Sequence, residues 1–212
     1  MACDSKKLFE YYLTARQTVI DMGYAYELDW QDSRDVSKLT ETEFLREAAW
    51  VILSSGMRET IIRRRFPMVS HAFLDWVSAD LITQNRIVCE ARGIKAFNNP
   101  PKISAIGSLC SKVYTLGFNE ILHRMRKIGV QFLQEFEFIG PVTKFHLAKN
   151  IGLEVVKPDR HLVRLAKLTE FSSPTQLCQE IANMTGDKLS VVDLTLWRYC
   201  TLNNHYGAIF RG

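Results

Sequence analysis

The run from Phe138 to Lys167, FIGPVTKFHLAKNIGLEVVKPDRHLVRLAK, constrains the fold more than any other part of the chain. Ile139-Gly140-Pro141 is a turn signal, and Pro141 suits a first helical position, where its missing N–H costs nothing. Val142 to Asn150 is helix-compatible, with Val142, Phe145, Ala148 and Ile151 on one face. Gly152 stops that helix by taking the left-handed cap conformation. Leu153 to Val156 is a short apolar crossing, and Pro158 holds Lys157 out of the helical region. Asp159 then opens a second helix with Leu162, Val163, Leu165 and Ala166 as its apolar positions. Two helix N-termini thus stand close in sequence, one after a Gly turn and one behind an acid. A Gly turn before a helix presents N–H groups that suit a phosphate, while an Asp N-cap is ordinary helix chemistry.

The same residues resemble the helix-hairpin-helix DNA glycosylases. That family has a hairpin Gly motif, a helix, a Gly- and Pro-rich loop, and an essential Asp followed by His and Arg. Here the series is Asp159, Arg160, His161 and Arg164. HLAKNIG with PDRHLVRL is similar to the archaeal 8-oxoguanine glycosylase branch, and FEFIGPVTKFHL is similar to the hairpin of 3-methyladenine DNA glycosylase I. The resemblance implies an all-α, two-lobed helical fold (HhH-GPD) with the active-site cleft between lobes, and double-stranded DNA with a modified base as partner. It implies Asp159 as the catalytic carboxylate, and Gly140, Val142, Lys144 and His161 as DNA contacts. The family hairpin has two Gly; this chain keeps Gly140 and has Phe138 at the place of the first. Bifunctional members carry a Schiff-base Lys two residues after the second Gly. Val142 stands there, and Lys144 lies two residues further on, facing a phosphate or solvent. A monofunctional glycosylase is therefore expected. The alternatives are a glycosylase/AP lyase that uses Lys144 and a non-catalytic DNA-binding module, which would need the Gly turn but not the acid.

Upstream, Asp4 or Ser5 caps an amphipathic helix that ends near Gly23, and Tyr24 to Trp30 (YAYELDW) reads as an aromatic, acidic loop. Thr40-Glu41-Thr42-Glu43 opens a long helical pattern as a capping box, with Phe44, Ala48, Val51 and Ile52 on one stripe. Ser54-Ser55-Gly56-Met57 breaks it. By resemblance this turn carries the residue that fills the space of a flipped base, which makes Met57 the candidate wedge, with Arg58 beside it as a DNA contact; the alternative is a plain turn with Met57 buried. Trp50, Trp30 and Tyr24 are candidates for the base pocket, since aromatic rings stack on extruded bases. Trp76, Leu81 and Ile82 read as core anchors. Leu116-Gly117-Phe118-Asn119 resembles the family's Gly-aromatic-Asn turn and precedes a helix bearing His123, Arg124, Arg126 and Lys127. Ser172-Ser173-Pro174 starts a further helix, and Leu189 to Tyr199 is taken as the last.

The chain is expected to divide into residues 1–39 (a helix and aromatic loop packing with the C-terminal lobe), 40–137 (a helical body), 138–168 (the hairpin and catalytic loop) and 169–212 (C-terminal helices). The formal net charge of +4 permits DNA binding without indicating it. The five Cys are scattered and odd in number, as for reduced thiols. Only Cys178 and Cys200 lie near the C-terminus, too few for the iron–sulfur cluster of related enzymes. Cys3 with Cys200 and His205 is a poor match for a zinc site. No cofactor or metal is expected, nor a membrane span or a signal peptide. The protein is expected to be a monomer, cytoplasmic and nucleoid-associated if prokaryotic.

Overall fold

The computed structural model describes residues 4–210, and Cys3 lies outside them. The protein is all-helical, with no strand among the described residues. Among the described residues no helix is long and apolar enough to cross a membrane. The chain forms two compact units, one of residues 36–151 and one that joins residues 1–35 to 152–212. The boundary at residues 151 and 152 therefore divides the 138–168 stretch, leaving the hairpin in the first unit and Asp159 in the second.

The 36–151 unit opens on a 3-10 turn (Val36–Lys38) and then α3 (Glu41–Ser54), α1 (Ser5–Val19) and α2 (Ala25–Ser33) belonging to the other unit. Thr40 and Glu43 cap α3 reciprocally, as a capping box requires. Phe44, Ala48, Val51 and Ile52 are wholly buried, so the stripe expected of α3 is core. α4 (Glu59–Ala72) runs on through Pro67, whose ring removes only one backbone bond from a long helix. α5 (Ala79–Gln84) and α6 (Arg86–Ala96) follow; Ile82 is buried but Leu81 is 41% exposed and so is not the expected anchor. Trp76 is a core residue, stacked on Phe73 at 5.5 Å. Gly93 lets α6 close on this cluster, because a Cβ there would sit 2.9 Å from the Phe73 ring. α7 (Pro100–Leu116) is capped by Asn99 and buries Ile103, Ile106, Cys110 and Val113. α8 (Phe118–Ile128), a 3-10 turn (Gly129–Glu135) and α9 (Thr143–Asn150) complete the unit. The Asn150 amide donates to the buried Glu47 carboxylate at 2.9 Å, which pins the end of α9 to α3.

The second unit packs both chain ends on one core. α1 (Ser5–Val19) contributes Leu8, Tyr12 and Ala15. α10 (Arg160–Leu168) adds Leu162, Leu165 and Ala166, and α11 (Pro174–Thr185) adds Leu177 and Ile181. α12 (Leu189–Leu202) contributes Val192 and Leu196. The expected aromatic loop at Tyr24 to Trp30 is instead mostly helix, α2 (Ala25–Ser33), entered through a wide turn at Gly23 with φ +86°. Its residues are helix-permissive, and Glu27 holds it in place through a bidentate pair with Arg198 at 2.9 and 2.6 Å.

Candidate functional site

In the 36–151 unit the hairpin turn bends at Phe138, not at Gly140. Phe138 has φ +62°, while Gly140 has no positive φ. A residue with a Cβ thus holds the conformation for which Gly is the usual choice. The Thr143 hydroxyl cinches the turn, accepting from Gly140 N–H at 2.7 Å and donating to Phe138 O at 3.3 Å. The Gly140 amide is therefore engaged, a correction to its expected role as a phosphate donor. The Val142 and Thr143 N–H groups make no hydrogen bond among the described residues and stand at the start of α9. Val142 itself is 47% exposed.

Lys144 differs from its expected setting too. Its side chain is buried, and its ammonium donates to the Gln131 and Gln134 amide oxygens rather than facing a phosphate or solvent. The reason lies in the helix period. Lys144 shares its face with Leu147, Ala148 and Ile151, all buried, and the 3-10 turn supplies neutral acceptors for its charge.

The 54–58 turn stands beside the hairpin in the same unit. Gly56 has φ +68°, Met57 is 38% exposed, and Arg58 is exposed with no ion pair among the described residues. Arg64 and Arg65 are exposed on α4, whereas Arg63 pairs with Glu59 at 2.6 Å. A cleft of about 540 Å³ is lined by Ser55, Gln134 and the run from Phe136 to Thr143. Lys102 of α7 is buried next to it. Its ammonium donates to Leu53 O at 2.6 Å and Ser55 O at 2.5 Å, and lies 5.8 Å from the centre of the Phe138 ring. Burial pushes this amine below the ordinary lysine range.

In the other unit Asp159 caps α10. Its Oδ1 accepts from His161 N–H at 2.8 Å and Leu162 N–H at 3.2 Å, and Oδ2 accepts no hydrogen bond among the described residues. The side chain is partly exposed. The crossing before it is fixed to the start of α12. The Asp193 carboxylate accepts from Lys157 N–H at 3.0 Å, and Glu154 accepts from Ser190 N–H and hydroxyl, each at 3.2 Å. His161 packs its ring edge-on against Tyr206 at 5.7 Å, and Arg160 and Arg164 are exposed. The Cys200 thiol is pushed up to about 12, first by burial and then by the Asp159 charge, so it stays protonated near neutral pH.

The aromatic candidates divide between the units. Trp50 is half-buried in the 36–151 unit, edge-on to Phe66 at 5.1 Å with the Arg63 guanidinium 6.0 Å from its ring. In the other unit Tyr24 lies under Arg198 at 4.3 Å and Trp30 under Arg34 at 5.4 Å. Each ring thus has a protein partner already. Among the described residues no group of three or more His, Cys, Asp or Glu could hold a metal ion.

The residues that hold these turns went unrecognised in the sequence, though two carried a signal. Lys102 continues the apolar stripe Ile106, Leu109 and Val113 of α7, and Asp193 interrupts the apolar run Val191-Val192. A charge at a core position implies a buried partner. Gln131, Gln134 and Thr143 carried no such mark.

Comparison of the chain with protein-family models, with curated proteins and with solved structures finds no match.

Proposed function

We propose that the chain is a monofunctional DNA glycosylase with the two-lobed helix-hairpin-helix architecture, which extrudes a modified base from duplex DNA and hydrolyses its N-glycosidic bond. The observation that carries this reading is the Asp159 carboxylate. It is partly exposed at a helix N-terminus, rigidly placed by the Asp193 bond to Lys157, and has one oxygen unengaged. Such a carboxylate stabilises the positive charge that develops on deoxyribose as the base departs, and orients or deprotonates the attacking water. The products are free base and an abasic site, with no cofactor required.

Three further features support the reading. Val142 and Thr143 offer unengaged amides at the start of α9, a fit for a backbone phosphate. Met57 projects from an exposed turn next to the free Arg58, as a wedge with a phosphate contact beside it would. The Lys144 ammonium is tied to two glutamines, which favours hydrolysis over Schiff-base chemistry.

The rival is a binding module without chemistry, favoured by the fact that both Asp159 hydrogen bonds are those of an ordinary cap. A panel of duplexes, each with one alkylated purine, 8-oxoguanine or hypermodified base, separates them. Base release with strand breaks only after alkali supports the monofunctional enzyme. Breaks without alkali transfer the reaction to an amine, Lys144 first. Binding without release from any duplex leaves the module.

A further inference from the structure

Lys102 joins two turns that are far apart in sequence. Its stem rises from the first turn of α7, on the stripe that faces the core. An ammonium has three donors and no acceptor capacity. Two donors meet the carbonyls of Leu53 and Ser55, at the end of α3, where carbonyls have no partner within their own helix. The charge also stands over the ring of Phe138, the residue held at φ +62° in the hairpin turn. The Lys102 ammonium has no ion pair with a carboxylate among the described residues, and both of its hydrogen bonds go to backbone oxygens. Backbone carbonyls cannot follow a side-chain rotation, so a buried charge bound to them fixes main chain directly. Ser55 and Phe138 both line the cleft of about 540 Å³ beside this residue.

We propose that Lys102 is a positioning residue that couples the Met57 turn to the hairpin turn, so that the wedge and the phosphate grip hold a fixed spacing on one duplex. The functional half of this inference rests on the glycosylase reading; the coupling itself does not. Met57 follows Ser55 by two residues and its N–H donates to Ser54 O at 3.0 Å, so the clamp on Leu53 and Ser55 sets where its side chain emerges. On the other side the Phe138 ring is fixed by the charge that faces it, and the Thr143 hydroxyl carries that position to the first turn of α9.

Amide hydrogen exchange on the full chain without DNA tests the coupling. Lys102→Met keeps the stem and removes the charge. It is expected to speed exchange about tenfold or more in two places, the 53–57 turn and the 136–144 hairpin, with Lys102→Arg restoring much of the protection. Faster exchange at 53–57 alone, with the hairpin unchanged, would show a local helix cap and overturn the proposal. If Lys102→Met does not fold, Phe138→Gly decides, since Gly accepts the positive φ and takes away the ring that the charge faces. Exchange at 53–57 must then quicken several-fold, and an unchanged turn overturns the coupling. On a duplex that the wild type processes, Met57→Ala is expected to slow base release in the wild type and to add little in the Lys102→Met background. Two independent, additive losses count against the positioning role. If the wild type releases no base from any duplex, the glycosylase reading fails, while the exchange result still decides the coupling.

Discussion

Asp159 binds its own helix through Oδ1 and leaves Oδ2 to whatever enters beside it. That division separates its structural work from the chemistry proposed for it, and one substitution can exploit it. Asn is as good an N-cap as Asp, so Asp159→Asn is expected to keep the melting temperature and the duplex affinity. Base release should fall by a factor of about 100 or more, because the developing positive charge loses its counter-charge. A variant that retains wild-type release rates would remove Asp159 from the chemistry. Arg58 makes a different kind of claim, since its guanidinium is exposed and unpaired among the described residues. Arg58→Ala is expected to weaken binding to all duplexes alike and to lower the slope of log affinity against log salt by about one, the signature of a single lost phosphate contact.

At the scale of elements, the crossing from Gly152 to Asp159 has no regular structure of its own and depends on α12. Asp193 is 1% exposed and accepts the Lys157 N–H, so Asp193→Ala removes that acceptor from the crossing. A loss of about 1–3 kcal/mol in urea unfolding is expected, and under the proposed glycosylase function base release falls with it through a misplaced Asp159. The regular elements were legible in the sequence because their signals are local. Thr40 and Glu43 announced the start of α3, and Ser173 with Pro174 the start of α11. What was not legible depended on partners distant in the chain. Tyr24 to Trp30 read as a loop because the pair that holds α2, Glu27 with Arg198, joins residues 171 positions apart. Lys144 read as a surface cation because nothing local announced Gln131 and Gln134 as acceptors. Gly140 read as the residue that bends the hairpin because Phe138, which does so, has a side chain that ordinarily avoids that conformation.

For the whole molecule, the cysteines give a pH dependence with a definite sign. Cys110 and Cys200 are buried, and burial raises each thiol from 9.0 to about 12. A raised thiol favours the fold while protonated. Its contribution is complete below about pH 9, where the unfolded thiol begins to ionise, and disappears as pH approaches 12. Stability measured by urea midpoint should decline across that window, and less steeply in Cys110→Ala. The two units give a second prediction. Residues 36–151 form a continuous stretch with its own core, so the excised fragment is expected to unfold as one cooperative transition and to keep its helix content. A fragment without a cooperative transition would show that the other unit is needed to complete that core.

The other unit has no such independence, and the ribosome meets the consequence first. α1 leaves the exit tunnel well before its partners with Leu8, Tyr12 and Ala15 along one side, since the residues that cover them, from α10, α11 and α12, begin only at Arg160. At elongation rates of about 5–20 residues per second, that apolar side waits on the order of ten seconds for its partners. During that interval the nascent chain presents a greasy helix tethered to a body that can already fold, a natural docking point for a holding chaperone.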